Sequence, residues 1–403
     1  MSPHSDLSTD GFAVRLALFY AASFVAVGIS MPFFPIWLEA KGLDARTIGF
    51  VLALPMVVRI FAVPIAVRVA DRRAVLREAL MVASIGTAAG YTLLGFADSR
   101  GPIFVLVALA SVFYVPTWPL VDAYALRGLG LRRRAYGPVR LWGSVTFIAA
   151  NLGAGLILDR IAPQSLIWLI AGAMIATAGV ALGLVPMGSD GAPAGPAPRS
   201  RILLRNPAFL AVIAVASLLQ ASHAVYYGFS TIDWKAAGLD GLTIGALWAL
   251  GVVAEIVLFA FSGRLPLGSA QMLALGAAGA VIRWSAMACS PPAWALPFLQ
   301  VLHGLSYGAT HLGTIGLLAR LAPHQLGATA QGYYATLFGV VMAGIMSLSG
   351  VLYQSYGALA YAAMAVASLI AAAIIAAFWP RWQEVTQGTT TPAHTGEAGP
   401  EVP

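Results

Sequence analysis

Twelve stretches of this chain are apolar, nearly free of charge and about 20 residues long, the length an α-helix needs to cross the hydrocarbon core of a bilayer. They fall at roughly 14–37, 46–67, 76–97, 102–126, 137–158, 164–186, 207–230, 242–263, 269–289, 293–319, 327–353 and 357–379. Only 10% of the 403 residues are charged and 59% are hydrophobic, whereas a soluble domain has about 25% and 45–50%. Most of the chain therefore faces lipid. The expected fold is an all-α membrane protein, with 12 transmembrane helices arranged as two pseudo-symmetric six-helix bundles.

The segment 187–205 separates the first six stretches from the last six. It is rich in Gly, Pro and Ala, carries three arginines, and reads as a flexible linker. This divides the chain into an N-terminal bundle over 12–186, a cytoplasmic linker over 187–205, a C-terminal bundle over 206–380 and a polar, disordered tail over 381–403. The first apolar run, 12–38, is too long for a signal-peptide core and lacks a clear cleavage site, so it is expected to remain as a membrane helix. The single cysteine, Cys289, excludes a disulfide framework and a CxxC metal site.

Fifteen of the 23 lysines and arginines fall in the termini, the linker and the even-numbered loops; five fall in the opposite loops and three inside spans. The positive-inside rule then puts both termini in the cytoplasm, and the expected location is the cell's inner membrane. The net charge of +7 does not point to nucleic acid, because the basic residues sit between apolar spans and form no amphipathic stripe.

The two halves repeat. Gly42-Leu43-Asp44 followed by Thr47-Ile48-Gly49 recurs 196 residues later as Gly238-Leu239-Asp240 followed by Thr243-Ile244-Gly245. In that register Arg59 falls on Glu255 and Arg68 on Arg264; a second match at offset 195 places Gly137 on Gly332 and Gly155 on Gly350. Two parallel six-helix repeats put a substrate site between the halves, near the midplane.

Three arginines lie inside spans, Arg59, Arg140 and Arg283, together with Asp122, Glu255, His223, His303 and His311. A mid-membrane charge costs about 2.5–3.5 kcal/mol on insertion scales, so charges kept there point to function. This inventory suits a protein that moves a polar or charged solute.

Several runs carry a family likeness. Met31-Pro32-Phe33-Phe34-Pro35-Ile36-Trp37-Leu38 ends the first span, and Tyr136-Gly137-Pro138-Val139-Arg140-Leu141-Trp142-Gly143 opens the fifth. Leu247-Trp248-Ala249-Leu250-Gly251-Val252-Val253-Ala254-Glu255 and Arg283-Trp284 belong to the same set. On these residues the chain resembles the major facilitator superfamily over nearly its whole length. Within it, the chain is similar to the lactose permease branch of proton symporters and, more closely, to the phenylpropionate permease family. The superfamily's loop motif after the second span survives in part as Asp71, Arg72, Arg73 and Arg77, with Val67 and Ala74 in place of its glycines. The resemblance implies that this loop clamps helix ends and sets the gating equilibrium.

The resemblance also implies substrate contacts for Asp122 and Arg140, which stand 18 residues apart on successive helices. Independently, a guanidinium fork binds a carboxylate or vicinal hydroxyls bidentately. The alternative is a static salt bridge packing the fourth span on the fifth. Arg283 and His303 match a pair tied to substrate and proton coupling in the lactose permease branch. The Glu that follows three residues later in that branch is here Ser306, which cannot carry a proton. Glu255 then becomes the candidate carrier, exchanging Arg283 for a proton, unless it is a permanently paired structural residue. His303 and His311, about two turns apart, are further relay candidates; for each of them, and for His223, a packing role stands equally open. Arg59 and Glu255 invite an interdomain ion pair. Asp233 and Lys235 are expected to be solvated at the mouth of the seventh span.

Three intramembrane arginines face two carboxylates, so one positive charge is left over. That favours an anionic solute such as a small aromatic carboxylate, imported with protons; a sugar or nucleoside is the alternative. No P-loop, GxSxG or HExxH motif is present, so neither an ATP-driven pump nor an enzyme is indicated, and no cofactor or metal is expected. No ring of like charges suggests a channel. A non-transporting sensor on the same fold stays open. The expected partners are the bilayer, a small organic solute and protons, with the chain acting as a monomer.

Overall fold

A computed structural model of the chain describes residues 9–186 and 200–387. Among these residues fourteen α-helices trace twelve passes. The first half holds α1 (Thr9–Ala40), α2 (Ala45–Arg73), α3 (Leu76–Leu94), α4 (Arg100–Leu131), α5 (Tyr136–Leu158) and α6 (Leu166–Leu182). In the second half, α7 (Pro207–Ala221) and α8 (Ala224–Ala236) share the seventh pass, followed by α9 (Gly241–Ser262) and α10 (Ser269–Ala288). The tenth pass is α11 (Leu296–Val301) and α12 (Thr310–Leu321), and α13 (Gly327–Tyr356) and α14 (Tyr361–Gln387) complete the bundle. Eight helical stretches among the described residues are long and apolar enough to cross a membrane, the last of them, Gly327–Glu384, containing two passes.

The repeated Gly-Leu-Asp motif is a helix-entry turn used twice. Gly42 and Gly238 take φ of +78° and +88°, where a side chain would be strained. Asp44 and Asp240 then cap α2 and α9, each accepting a 2.8 Å hydrogen bond from the backbone of Thr47 or Thr243. Such a cap is worth about 1 kcal/mol.

Two passes expected as continuous helices are not. The seventh breaks at Ser222-His223, where Ser222 Oγ donates to the Leu219 carbonyl (2.7 Å) and His223 Nδ1 lies 3.1–3.2 Å from the carbonyls of Leu219 and Gln220. These side chains satisfy carbonyls that a broken helix would otherwise leave orphaned in the protein interior. The tenth pass carries a π-helical turn, Gly304–Ala309, between α11 and α12, a feature that shifts the facing of the residues beyond it. The expected disordered tail also begins later than 381. Helix α14 runs on to Gln387 because Trp382, fully buried, donates from Nε1 to the Ala208 carbonyl at the start of α7. Of the expected flexible linker, 187–199 and the end of the tail lie outside the described residues, whereas Ser200–Arg205 forms a 3-10 turn with Leu203 buried.

Within the halves, α1 packs on α5 and α6, α3 on α4 and α6, and α10 on α12 and α14. Between the halves, α2 meets α13, α5 meets α9, and α1 meets α8. These contacts are tightest at the end that holds the two Gly-Leu-Asp turns. A Cβ on Gly49 would lie 2.8 Å from Gly350 Cα, and Gly155 abuts Gly241 as Gly245 abuts Asn151, backbone against backbone. The side chain of Gln354 at the end of α13 accepts from the Arg46 amide of α2 (3.1 Å). The chain is thus sealed at one end. Toward the opposite end, which carries the arginine-rich loops, a cavity separates the halves.

Candidate functional site

The cavity encloses about 490 Å³ between α1 and α5 of the first half and α8, α9 and the tenth pass of the second. Phe24, Met31, Tyr136, Arg140 and Phe147 line it from one side; Tyr226, Tyr227, Trp248, Glu255, Phe259, His303, Tyr307 and His311 line it from the other.

Arg140 projects from the second turn of α5. Its guanidinium lies 4.1 Å from the Phe24 ring centroid and 5.4 Å from that of Tyr20. Ring faces stabilise a partly desolvated cation by about 0.5–2 kcal/mol while leaving its N–H edges to a ligand. No hydrogen bond or ion pair among the described residues joins it to Asp122. Instead Asp122 accepts from the hydroxyls of Tyr20 (2.7 Å) and Tyr136 (2.9 Å). The static salt bridge between the fourth and fifth spans is therefore absent. Two tyrosines stand where it was expected, and Asp122 fixes the Tyr136 ring at the cavity wall.

Glu255 faces the cavity from α9. The charged side chain that acts on it is Arg140, from the other half. The expected exchange with Arg283 is overturned by position. Arg283 is fully buried on α10, behind the cavity wall. Its Nη2 donates to Gln300 Oε1 (2.7 Å), and its Nη1 lies 2.9 Å from His303 Nδ1 and 3.2 Å from Ser306 Oγ. The faces of Tyr226 and Trp284 each lie 4.6 Å from its guanidinium carbon. Burying a charge is costly unless it is compensated; here neutral partners take Nη1 and Nη2 and two π-faces flank the guanidinium, without a carboxylate, while Nε has no partner among the described residues.

The histidine protonation states follow from the partners. Arginine only donates, so His303 Nδ1 accepts, and that ring is neutral with its proton on Nε2. His223 lies deeper, fully buried; its Nδ1 faces two carbonyls and so carries the proton, leaving Nε2 to accept from Ser306 Oγ (3.2 Å). Ser306 is the hub linking His223 to Arg283. His303, Tyr307 and His311 form a ladder of near-parallel rings spaced 5.2 and 6.4 Å along the tenth pass.

Arg59 lies beside Tyr334 of α13 and makes no ion pair with Glu255 among the described residues. The reason is topological: α2 packs on α13, while α9 packs on α5. The residues Asp71, Arg72 and Arg73 end α2 exposed to solvent. Arg77, at the start of α3, reaches the end of α6: its Nε donates to the Leu184 carbonyl (2.6 Å) and its Nη2 to that of Leu182 (3.3 Å).

Sequence reasoning missed three features. Trp248 is held flat, its Nε1 donating to Thr231 Oγ1 (3.1 Å) and its ring stacked 4.4 Å from Tyr226. Lys235, expected to be solvated, pairs with Asp159 across the seal, and Asp159 Oδ2 also accepts from the Gly241 amide (2.7 Å). Asp233, likewise expected to be solvated, accepts from Tyr353 (3.2 Å). A lone carboxylate at the end of the fifth span was the one available sign of the Asp159 contact. Among the described residues no group of three His, Cys, Asp or Glu side chains could hold a metal ion.

A family model described as the MFS_1 like family matches residues 13–363. The chain is 32% identical over 357 residues to the "Probable 3-phenylpropionic acid transporter" of Escherichia coli (strain K12), covering 85% of this chain and 91% of that one. It is 29% identical over 339 residues to the "Maltose permease" of Geobacillus stearothermophilus, covering 83% and 85%. Among solved structures, nucleoside transporter NupG superposes with a TM-score of 0.76 at 15% identity, over 91% of this chain and 99% of that one. A bacterial homolog of the human lysosomal transporter Spinster, inward-facing and unoccupied, superposes with a TM-score of 0.73 at 13% identity, over 96% and 100%.

Proposed function

The chain belongs to the MFS_1 like family of multi-pass membrane transporters, and from that premise we propose that it is a proton-coupled symporter importing a small aromatic carboxylate by alternating access. The observation that carries this reading is that Arg140 and Glu255 face the same cavity from opposite halves. With Glu255 ionised, the two charges neutralise each other across the cavity. An incoming carboxylate takes the guanidinium fork of Arg140, and Glu255, deprived of its counter-charge, takes up a proton. Substrate and proton then load together, and the loaded cavity carries no more net charge than the empty one. The fixed rings of Trp248 and Tyr226, with Phe24 opposite, suit an aromatic body.

His303 is a weaker carrier, since protonating Nδ1 would break its bond from Arg283. Its Nε2–H and the His311 ring instead offer polar contacts to solute. The two bodies that move are residues 12–186 and 206–380, working as a monomer in the inner membrane. With both termini cytoplasmic, the present structure is sealed toward the outside and open inward, and the 71–73 loop stands at the inner mouth. The relationship to a probable 3-phenylpropionic acid transporter supports the substrate class. The relationship to a maltose permease favours a neutral sugar as the second reading, with nucleosides next.

Proteoliposomes decide between them. Labelled phenylpropionate should exchange in counterflow and accumulate under an inward proton gradient, whereas maltose and nucleosides should not compete. Competition by sugar alone would replace the aromatic reading with the second one. Absence of exchange with every solute would favour a non-transporting sensor.

A further inference from the structure

Helices α2 and α3 are consecutive, yet they part along their length, α2 packing on α4 and α13 instead. Between them, on the lipid-facing side, opens a groove of about 400 Å³ with α4 as its floor. Its lining is apolar apart from the Glu78 carboxylate: Ile65 and Val69 come from α2, Ala79 and Val82 from α3, and Phe113 from α4. Ile65, Val69 and Val82 are 64%, 45% and 59% exposed, so no protein side chain fills the space.

One end of this groove is charged. The stripe of α2 that lines it, through Ala62, Ile65 and Val69, continues at helical spacing into Arg72 and Arg73. Both arginines are exposed at the helix end. From 68 to 78 the sequence holds four arginines and two carboxylates, and one of those carboxylates, Glu78, is already beside Arg77 at 3.5 Å. The groove thus joins a hydrocarbon-lined slot to a net positive rim at membrane-surface depth.

We propose that this groove is a binding site for one anionic phospholipid, with an acyl chain lying between α2 and α3 and the phosphate held at Arg72 and Arg73. Guanidinium forks bind phosphate oxygens bidentately, and a basic cluster flanking a span favours anionic over zwitterionic headgroups. The apolar slot supplies what a free phosphate ion would lack. This site is separate from the solute cavity and does not depend on the proposed substrate.

The test is native mass spectrometry of the full chain in detergent, with phosphatidylglycerol or phosphatidylcholine of matched acyl chains added. The wild type should retain one phosphatidylglycerol in preference to phosphatidylcholine. Replacing both arginines (Arg72→Gln with Arg73→Gln) should weaken that retention by about fivefold per arginine and erase the preference. Ala79→Phe, which fills the slot and leaves the arginines intact, should lower retention of both lipids. Circular dichroism checks that each variant is folded; if Ala79→Phe is not, the arginine variant alone decides. Equal retention of the two lipids by the wild type would overturn the proposal. So would unchanged phosphatidylglycerol binding in the arginine variant, or a wild-type dimer that Ala79→Phe dissociates, which would make a second copy the occupant.

Discussion

Asp159, at the end of α5, accepts a 2.7 Å hydrogen bond from the backbone N–H of Gly241, the first residue of α9 in the other half. A carboxylate of one repeat thus caps a helix of the other, where the helix dipole favours negative charge. Lys235 pairs with the same carboxylate, and the Gly155–Gly241 approach beside it leaves no room for a side chain.

The first prediction concerns this seal. The Lys235 ammonium and then the Gly241 amide hold the Asp159 carboxyl below the usual carboxylate range. A lowered value means that the contact is complete above the ordinary carboxylate pKa, about pH 4, and is lost only as pH falls through the lowered value. The seal should therefore be insensitive to pH across the neutral range and to mild acid. Asp159→Asn should loosen it at every pH. In a Cys289→Ser background, a cysteine at Val252, which lines the cavity beside Glu255, should then react several-fold faster with a reagent added from the sealed side. An unchanged rate would show that the glycine contacts alone hold the seal.

Arg140→Lys keeps the charge and loses the planar fork. Affinity for the carboxylate solute should fall by about tenfold or more, measured by ligand-induced thermal stabilisation. Near-normal affinity would leave Arg140 as a packing residue on Phe24 and Tyr20.

Glu255→Gln mimics the protonated acid. Solute binding and exchange should persist, and uphill accumulation driven by a pH gradient should vanish. Accumulation that survives in this variant but fails in His303→Gln or His311→Gln would transfer the coupling role to a histidine.

Arg283→Ala should act on stability before it acts on transport. It strips His303 Nδ1 and Gln300 Oε1 of their donor in a dry interior. Leaving such groups unsatisfied costs about 2–5 kcal/mol in all, so the thermal midpoint should drop even without solute. A variant as stable as the parent but unable to bind would return Arg283 to the site.

Cysteines introduced singly at Ser99 and Ala135, both exposed and at opposite ends of the bundle, should label from opposite faces of the membrane, with Ala135 on the cytoplasmic side. Labelling from one common face would reject the topology, and the reverse assignment would invert the inward-open reading.

The membrane-spanning helical fold is legible in the sequence alone, because hydrocarbon allows a chain of twenty-residue apolar runs almost no other way to satisfy its backbone. So is the two-fold repeat. Gly42 and Gly238 must take positive φ and Asp44 and Asp240 must cap the helices that follow, local demands that leave a local signature. The inventory of intramembrane charges was equally legible, since each stands alone in an apolar run. Their pairing was not. Arg59 and Glu255 are equivalent by repeat yet far from partners, because the fold sets α2 against α13 and α9 against α5. Arg283 and Arg140 look alike in sequence, but only Arg140 reaches the cavity; the other is walled in by Gln300, His303 and Ser306. The Asp159–Gly241 contact across the halves depends on groups meeting from distant segments. Spacing along one helix carries no information about which face a second helix will cover, and that was decided only when the two bundles packed.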